Sequence, residues 1–457
     1  MNIKQRRILY IFFVLIFLIS TPLISLYATG YKISNGFKIE KTGALIIDTK
    51  PQGAKIFLNG KIQKKFLKNI FKKNKDFLKS PVKIKGLKPG EYDIKLELSG
   101  YYPWEKKLNI YPGQSTYIED VNLFKNELPI IISNGKYSDF LISPKSDNII
   151  AFDEKNIKLI KENGFKIENF ILASSTLENK NFSLKNSSFS PDKENIIISE
   201  FIFNEDRWNN PFSLKKIIGN NIKKIEWMNN DTVCYQKENS LYSFNISSEI
   251  NKNILTTQEI DDYFIKDNFL YLIENNKNSS HLNIWDLKNE KYIRKINLPK
   301  SKYKFISKNN ELVNLYDYQY HNLYLIDPFS EFKPLRETIN NISEDIIWVN
   351  KNKLLYHNDF EIWIMDFNNG NSVNKTLITR ISDKIKKVFW HPSDNYIFYV
   401  IKDKIKSIEL DKRNNYNINK IIQLKNIKNI IFNSKGDIIF FYAQIANQEG
   451  IYKLYIQ

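Results

Sequence analysis

The stretch VFWHPSDNYIFYV, residues 388–400, decides the fold, because two apolar segments flank the tight turn His391-Pro392-Ser393-Asp394. The same order of apolar segment, polar turn and apolar segment recurs from Asp139 to the last residue. Its β-branched and aromatic residues fit pleated strands. Eight turns occur, spaced by 37 to 47 residues, and they begin at Ser143, Ser190, Asn229, Lys266, Ser307, Asn350, His391 and Asn433. This spacing indicates one supersecondary unit copied many times.

A second series of segments runs out of phase with these turns. Its members are short apolar strands that end on Asp or Asn, at Asn245, Asp286, Asp327, Asp366 and Asp411. Two series with a common period near forty residues and several strands per unit predict a β-propeller over residues 128–457. Eight turns predict eight blades, with seven as the alternative if a divergent repeat is misassigned. The predicted fold class is therefore all-β after the N-terminal segment.

The closure of the predicted propeller depends on its last blade. The chain ends directly after a third strand, residues 451–456, so that blade lacks an outer strand. The apolar run Leu128-Pro129-Ile130-Ile131-Ile132 has no other predicted partner, and we expect it to complete the blade and cover its open edge. The repeats resemble those of WD40-like and TolB-like propellers, with Trp285-Asp286 similar to the WD dipeptide, although the paired Gly-His is absent. The resemblance implies a structural motif and no particular reaction.

The N-terminal segment is a predicted membrane anchor. Residues 8–27 read ILYIFFVLIFLISTPLISLY without a charge, a length that matches the hydrocarbon core of a bilayer. Lys4, Arg6 and Arg7 precede this run, so the positive-inside rule predicts a cytoplasmic N-terminus. Residues 1–30 are therefore predicted to be a short cytoplasmic tail and a transmembrane signal anchor, and residues 31–42 a linker, with everything after the anchor extracytoplasmic. The alternative is a signal peptide cleaved at Ala28-Thr29-Gly30.

Residues 43–127 form a different unit, in which short segments alternate apolar and polar residues. Such alternation predicts strands with one buried face and hence a small β-sandwich. Its turn and core residues resemble the PEGA domain: Pro51-Gln52-Gly53-Ala54 (with Gln where the family usually has Glu), Asn59-Gly60, Ser80-Pro81, Gly86-Leu87, Pro89-Gly90-Glu91-Tyr92 and Gly100-Tyr101. The resemblance implies an extracytoplasmic β-sandwich in a membrane-anchored bacterial protein, and it implies no active site.

A basic insertion at residues 61–79 departs from the PEGA pattern. The chain has a net charge of +18, and this insertion contributes eight Lys and one Asp. If the insertion is helical, apolar residues occupy one face and lysines the other: Lys65, Lys68, Lys72, Lys75 and Lys79. A basic amphipathic helix can lie on an anionic surface, here a lipid headgroup layer or a cell-wall polymer. The alternative is a structural cap over the end of the sandwich, with solvated lysines.

The sequence shows no pattern of catalytic residues. The four histidines are scattered, the single Cys234 allows no intrachain disulfide, and neither a nucleophile elbow nor a phosphate-binding glycine loop occurs. Basic residues concentrate at the N-terminus and in the insertion rather than along a groove, which argues against nucleic-acid binding. We expect no catalytic residues, no cofactor and no metal site.

Loops rich in aromatic and amide residues are the candidate contact surfaces of the propeller, and they contain Arg207, Trp208, Tyr318 and Tyr320. Their aromatic side chains either contact a ligand or pack against strands.

We interpret the chain as a single-pass, membrane-anchored, extracytoplasmic binding or scaffold protein of the cell envelope. Its propeller would be a platform for a protein or a glycan, including other envelope proteins. The alternative is a cell-surface polysaccharide hydrolase or lyase. A sensor is disfavoured because about seven cytoplasmic residues leave no room for an output domain.

Overall fold

The computed structural model describes residues 3–33, 38–65, 76–153, 156–161, 164, 167–171, 184, 187–257, 259–307, 311–367 and 373–457. This part of the chain divides into two compact units. The first contains Met1–Leu128, Ile408–Asn419 and Tyr455–Gln457, and the second contains Pro129–Ser407 and Lys420–Leu454. Beyond the N-terminal helix the described chain is mostly β, as the sequence predicts.

Helix α1, Ile3–Ala28, begins the first unit. Its stretch Gln5–Ala28 has a mean hydropathy of 2.5 and is long enough to cross a membrane. The Thr21 hydroxyl donates to Phe17 O at 2.8 Å, next to Pro22, whose nitrogen has no proton to donate. The polar hydroxyl is thus satisfied inside the helix, as an apolar environment requires. By length and composition, α1 fits a membrane anchor or a signal sequence.

After α1, the described part of Met1–Leu128 forms a hairpin followed by a β-sandwich. The hairpin strands are β1, Tyr31–Ile33, and β2, Ile39–Lys41. The sandwich strands are β3 (Gly43–Lys50), β4 (Lys55–Leu58), β5 (Lys61–Ile62), β6 (Val82–Leu87), β7 (Gly90–Glu97), β8 (Trp104–Ile110) and β9 (Ser115–Asn122). They form a three-stranded sheet in the order β6-β3-β9 and a four-stranded sheet in the order β5-β4-β7-β8. Alternate residues of β3 and β8 are buried between the sheets, which follows from the period of two along a strand.

The described ends of the basic insertion are extended. β5 continues from β4, Lys64 forms a β-bridge with Phe77, and the Lys65 N–H donates to Asp76 O at 3.0 Å. The prediction of a helix is therefore wrong for residues 61–65 and 76–79, because their backbone groups pair across a ladder. Residues 66–75, with Lys68, Lys72 and Lys75, lie outside the described residues.

The second unit is a series of four-stranded antiparallel sheets, eight in the described residues, each built mainly from strands consecutive in the chain. The first four sheets are β11–β14 (Asp139–Ile142, Ile149–Phe152, Asn156–Ile160, Ile167–Ile171), β15–β18 (Ser188–Phe189, Asn195–Ile198, Phe201–Asn204, Phe212–Ser213), β19–β22 (Ile222–Trp227, Thr232–Lys237, Ser240–Asn245, Asn251–Thr256) and β23–β26 (Ile260–Lys266, Phe269–Asn275, Ser280–Asp286, Lys291–Leu298). A 3-10 turn, Glu205–Arg207, and a short helix α2, Leu214–Ile218, flank β18.

The next three sheets continue in the same way: β27–β30 (Tyr303–Ser307, Val313–Asp317, Asn322–Ile326, Leu335–Ile339), β31–β34 (Ile347–Asn350, Lys353–His357, Glu361–Phe367, Val373–Arg380) and β35–β38 (Ile385–Trp390, Tyr396–Ile401, Lys404–Glu409, Ile418–Gln423). The eighth has the order β10-β41-β40-β39 and contains β10 (Ile130–Asn134), β39 (Lys425–Phe432), β40 (Ile438–Ile445) and β41 (Gln448–Tyr455).

The two series of sequence signals have distinct positions in these sheets. The polar turns lie between first and second strands, although residues 308–310 of the fifth turn fall outside the described residues. The segments that end on Asp or Asn are third strands, since Asn245 ends β21 and Asp286 ends β25. The sequence prediction of a repeated strand-turn-strand unit is thus confirmed.

Neighbouring sheets are joined by bonds that span roughly one repeat. Trp227 Nε1 donates to Ser188 O at 2.9 Å over 39 residues, and His391 Nε2 donates to Gly436 O at 3.0 Å over 45 residues. The second strands β12, β36 and most of β40 are buried on both faces, so each of these sheets is covered on both sides.

The eighth sheet is completed by a strand from the start of the unit. β10 pairs antiparallel with β41, with Ile130 opposite Lys453 and Asn134 opposite Gly450. This confirms that the apolar run after Leu128 supplies the outer strand of that sheet. β39, the first strand of the eighth sheet, also lies against β11 of the first.

We predict that Gly450→Ala weakens this pairing. A Cβ at position 450 would lie 2.2 Å from Ser133 O, a backbone atom that cannot rotate away. The expected loss is about 1–3 kcal/mol in the free energy of unfolding, typical of overpacking, measured by denaturant titration of the full chain. Gln448→Ala is the matched control, because this side chain is exposed on the same strand. Identical midpoints for the two variants would contradict the observed register.

Candidate functional site

The PEGA-like tetrapeptide forms the turn between β3 and β4, where Ser80 holds it in place. The Ser80 hydroxyl accepts from the Ala54 N–H at 3.1 Å and the Gly53 N–H at 3.2 Å, and it lies 2.5 Å from the Thr49 hydroxyl. Ala54 is fully buried in the sandwich core. The residues that carry the resemblance therefore fix a turn and a core position, and they do not form a reactive site.

A buried ionic network lies elsewhere in the first unit, between Lys106 of β8 and the segment Ile408–Asn419, which belongs to this unit although it includes the end of β37. Lys106 Nζ lies 3.5 Å from Glu409 Oε2 and 3.2 Å from Asp411 Oδ2, and the Lys106 side chain is only 2% exposed. Trp104 Nε1 donates to the same Glu409 oxygen at 3.0 Å, and Arg413 binds both oxygens of Asp411. Sequence reasoning missed this network because Lys106 and Glu409 are 303 residues apart, as their numbers show.

The two acids of this network have opposite pKa shifts. Burial raises the pKa of the Glu409 carboxyl, although Lys106 and Trp104 favour its charged form. Burial opposes ionisation of Asp411 as well, but its hydrogen bonds with Arg413 outweigh that effect and hold its pKa below the usual value. A buried charge is tolerated when it is paired, so the network is structural.

A groove of about 660 Å³ lies beside this network, also within the first unit. Its charged lining is paired internally: Lys95 contacts Glu97 at 2.9 Å and Glu105 at 3.0 Å, and Lys107 lies 3.6 Å from Asp93. Because these pairs neutralise one another, the groove offers no net charge to a ligand. It is a weaker candidate for a binding site than the cleft lined by Arg207 and Lys216.

The second unit contains a charged cluster on the first strands of two neighbouring sheets. Lys224 Nζ of β19 lies 2.9 Å from Glu226 Oε1 and 2.6 Å from Asp262 Oδ1 of β23. The other Asp262 oxygen accepts from the Phe305 N–H of β27 at 2.8 Å. Attraction to both acids raises the pKa of Lys224 even though burial alone would lower it. Asp262 therefore links three successive sheets, whereas Glu226 pairs with Lys224 on its own strand.

The aromatic residues predicted to face a ligand divide into two groups. Trp208 is 1% exposed, packs against Phe203 at 4.6 Å between ring centroids, and donates from Nε1 to Ile157 O at 3.2 Å. The ligand-contact alternative is therefore wrong for Trp208, which belongs to the core. Tyr318 and Tyr320 are 39% and 58% exposed. They remain predicted contacts.

These predicted contacts do not converge on one place. Arg207 lies between the third and fourth strands of its sheet, β17 and β18, whereas Tyr318 and Tyr320 lie between the second and third strands of theirs, β28 and β29. In an antiparallel meander those connections fall at opposite ends of the sheet. The Tyr318 hydroxyl donates to Glu344 at 2.5 Å, and burial together with this carboxylate raises the pKa of Tyr318.

A cleft of about 520 Å³ between the second and third sheets is the best candidate for a binding site. Arg207 and Lys216 of α2 line it, and within the described part of the chain neither has an acidic partner. Asn210 and Asn230 add amide groups, and Phe212 adds an apolar wall. Asp231, the acid of the cleft, accepts hydrogen bonds from the Asn245 amide and the Ser247 hydroxyl, at the end of β21 in the same sheet. Two unneutralised cations beside amides and an aromatic ring fit a ligand that carries carboxylate or phosphate groups.

His357 and His391 are buried, and both rings form hydrogen bonds. His391 Nδ1 lies 2.8 Å from the Ser393 hydroxyl, in the turn position that the sequence predicts for it. His357 donates from Nδ1 to Asn358 O at 2.9 Å, and burial lowers its pKa. Among the described residues, no three His, Cys, Asp or Glu side chains form a group that could hold a metal ion.

The lysines predicted to contact an anionic surface are only partly placed. Lys65 and Lys79 are exposed, and they lie at the described ends of the insertion. The lysines at 68, 72 and 75 fall outside the described residues. Their contact with lipid or wall polymer stays a prediction.

We predict that Lys106→Met lowers the free energy of unfolding by about 3–5 kcal/mol at neutral pH, because it leaves the Glu409 carboxylate buried without its cation. Glu409→Gln is the matched control and should cost much less, since the amide oxygen still accepts from Trp104 and the folded state already disfavours the Glu409 charge. Denaturant titration of both variants measures the difference. Equal losses would contradict a central role for Lys106.

Comparisons with known proteins identify one domain. Residues 74–123 match the model of the PEGA domain family. No functionally curated protein matches the chain at a significant level. Solved structures similar in part include a eukaryotic initiation factor (10% identity, 71% of this chain and 87% of that chain, TM-score 0.47) and the Dos1 propeller (12%, 73% and 96%, 0.44). Another is the hydrazine synthase of Kuenenia stuttgartiensis (8%, 73% and 99%, 0.36).

These structural similarities say nothing about what this chain binds or does. The domain match and the observed sheets together describe its construction. The chain contains a PEGA domain and a propeller-like series of β-sheets.

Proposed function

We propose that this is a membrane-anchored, extracytoplasmic binding or scaffold protein of the cell envelope. The observation that carries the proposal is the direct connection of α1, apolar enough to span a bilayer, to the sandwich that contains the PEGA match. α1 would remain uncleaved, with the N-terminus in the cytoplasm and both β units outside. A bacterial envelope is the setting that the PEGA resemblance implies.

The second unit would be a closed, eight-bladed, WD40-like or TolB-like propeller that serves as the binding platform. Eight four-stranded sheets in the described residues, the pairing of β10 with β41, and the contact of β39 with β11 support a closed ring. A ring covers the outward faces of its first and last sheets, which would otherwise expose apolar surface.

The cleft at Arg207 and Lys216 would be the binding site of this platform. Its two cations, which have no acidic partner among the described residues, favour an acidic ligand, either an envelope polymer or an acidic protein segment. The basic insertion would add a second anionic contact in the first unit, and wall polymer fits it better than lipid, because its described stem lies at the end of the sandwich away from α1. No nucleic acid or cofactor is part of this proposal.

The alternative function, a polysaccharide hydrolase or lyase, needs two carboxylates that are free to reach a substrate. Glu226 and Asp262 are the paired carboxylates on first strands, but Lys224 binds both. Asp262 is further occupied by a backbone N–H. This occupancy favours binding over catalysis.

Membrane anchoring predicts that the chain resists extraction from membranes by alkaline carbonate and keeps its N-terminal residues. Protease added to intact cells should cut the β units and spare α1, because the bilayer covers that helix. Mass spectrometry of the retained fragment measures this. A soluble exported species that begins near Tyr31 would show instead that α1 is a signal sequence.

The cleft predicts binding of anionic polymers that depends on two side chains. The full chain in detergent should co-sediment with polygalacturonate or polyphosphate beads and not with dextran beads. In a background in which the insertion lysines Lys65, Lys68, Lys72, Lys75 and Lys79 are changed to Gln, the double variant Arg207→Gln/Lys216→Gln should lose most of the remaining binding. Lys215→Gln is the matched control, because Lys215 is adjacent but pairs with Glu200 at 3.8 Å. Undiminished binding by the double variant would refute the site.

A further inference from the structure

The end of the sandwich that receives α1 is tied to the helix by hydrogen bonds. The Thr42 N–H and hydroxyl both donate to Gly30 O, at 2.8 and 2.6 Å, just after α1 ends. The Gly113 N–H donates in turn to Thr42 O at 2.9 Å. The turn at residues 111–114 therefore lies next to the point where the helix ends.

The turn at residues 87–90 lies at the same end of the sandwich, next to the end of α1. Lys32 Nζ of β1 donates to Gly86 O at 2.7 Å, immediately before the turn at residues 87–90. Gly90 also pairs with Ile110, which precedes the turn at 111–114. We call residues 31–32, 38–41, 87–90 and 111–114 the helix-exit surface.

The composition of the helix-exit surface is that of a membrane interface. It contains four lysines and one glutamate, a net charge of +3, and all four lysine side chains are exposed: Lys32, Lys38, Lys41 and Lys88. Two large apolar side chains are also exposed, Ile39 at 54% and Tyr111 at 53%. Tyrosines and lysines are enriched where proteins meet lipid headgroups, because both have an apolar body and a polar tip.

The connection between helix and surface is short. Only Thr29 and Gly30 separate α1 from β1, and two residues span at most about 7 Å. If α1 crosses a bilayer, the helix-exit surface must therefore lie at the depth of the headgroups. Lysines at that depth are attracted to any anionic headgroups in the leaflet.

The opposite end of the sandwich has the described stem of the basic insertion. Lys79 bridges to Lys55, which pairs with Glu97 at the far end of β7, whereas Gly90 begins that strand at the helix-exit surface. Seven strand steps of about 3.3 Å separate the two ends by about 23 Å. The insertion thus starts away from the point where α1 ends, which favours a wall polymer over lipid as its partner.

We propose that the helix-exit surface is a second membrane contact, which docks on anionic lipid headgroups with Tyr111 and Ile39 at the interface. The contact fixes the orientation of the sandwich on the bilayer, which a single helix with a two-residue connection leaves free to tilt. This inference rests on the proposed membrane anchoring.

The test uses the full chain reconstituted in vesicles of neutral lipid with an added anionic lipid. A fluorophore is attached at Tyr111→Cys or, as control, at Gln52→Cys, an exposed position in the turn at the opposite end of the sandwich. The native Cys234 is fully buried and stays unlabelled. Nitroxide lipids labelled near the headgroup should quench the label at position 111 several-fold more than the label at position 52. Equal quenching would overturn the inference.

A second set of variants tests whether the contact requires the lysine charges. Lys38→Gln/Lys88→Gln should reduce quenching at position 111 in anionic vesicles, and Lys55→Gln/Lys79→Gln, at the opposite end, should not. High salt should weaken the lysine contribution, because the screening length falls from about 30 Å at 0.01 M to about 3 Å at 1 M. Insensitivity to the lysine changes and to salt would overturn the anionic-lipid assignment.

Carbonate washing separates this inference from the proposal on which it rests. A chain that is lost from washed vesicles contradicts the membrane anchor itself. A chain that is retained, with its label at position 111 fully in water, contradicts only the headgroup contact.

Discussion

The second unit depends on one constraint: second strands such as β12 and β36 are apolar and buried on both faces. All four residues of β12 and all six of β36 are buried, so neither sheet has a face that water can cover at low cost. Each such sheet needs a neighbour on both sides, and the neighbour is supplied by the adjacent repeat. The hydrogen bonds that Trp227 and His391 donate to a neighbouring sheet therefore span close to one repeat length. The period of the sequence and the spacing of contacts between sheets have the same cause.

Pairing separates structural charges from candidate binding charges. Lys106 and Lys224 are largely buried and each contacts two acids, an arrangement that offsets the cost of removing charge from water. Their acids are occupied and do not resemble a catalytic pair. Arg207 and Lys216 differ because they line an open cleft and have no acidic partner in the described chain. Charge left unneutralised beside amides and an aromatic ring is what an anionic ligand would use.

The sandwich has two different ends, and they suit different surroundings. Its helix-exit surface joins exposed lysines with Tyr111 and Ile39 close to α1. Its other end holds the tetrapeptide turn fixed by Ser80 and the stem of the basic insertion. The residues that define the PEGA resemblance are buried or in turns, so they preserve the shape of the domain. Exposed residues outside that pattern distinguish this chain.

Local sequence signals determined much of this protein. The repeat, the turns between first and second strands, the apolar helix and the turn residues of the PEGA domain could be predicted, because periodicity and turn chemistry act over a few residues. The outer strand of the eighth sheet could also be predicted, since only one apolar run lacked a partner. Burial of Trp208, the extended ends of the insertion, the Lys106 network and the pairing state of Arg207 and Lys216 could not. Each depends on which residues meet across tens to hundreds of positions, and only the tertiary structure decides that.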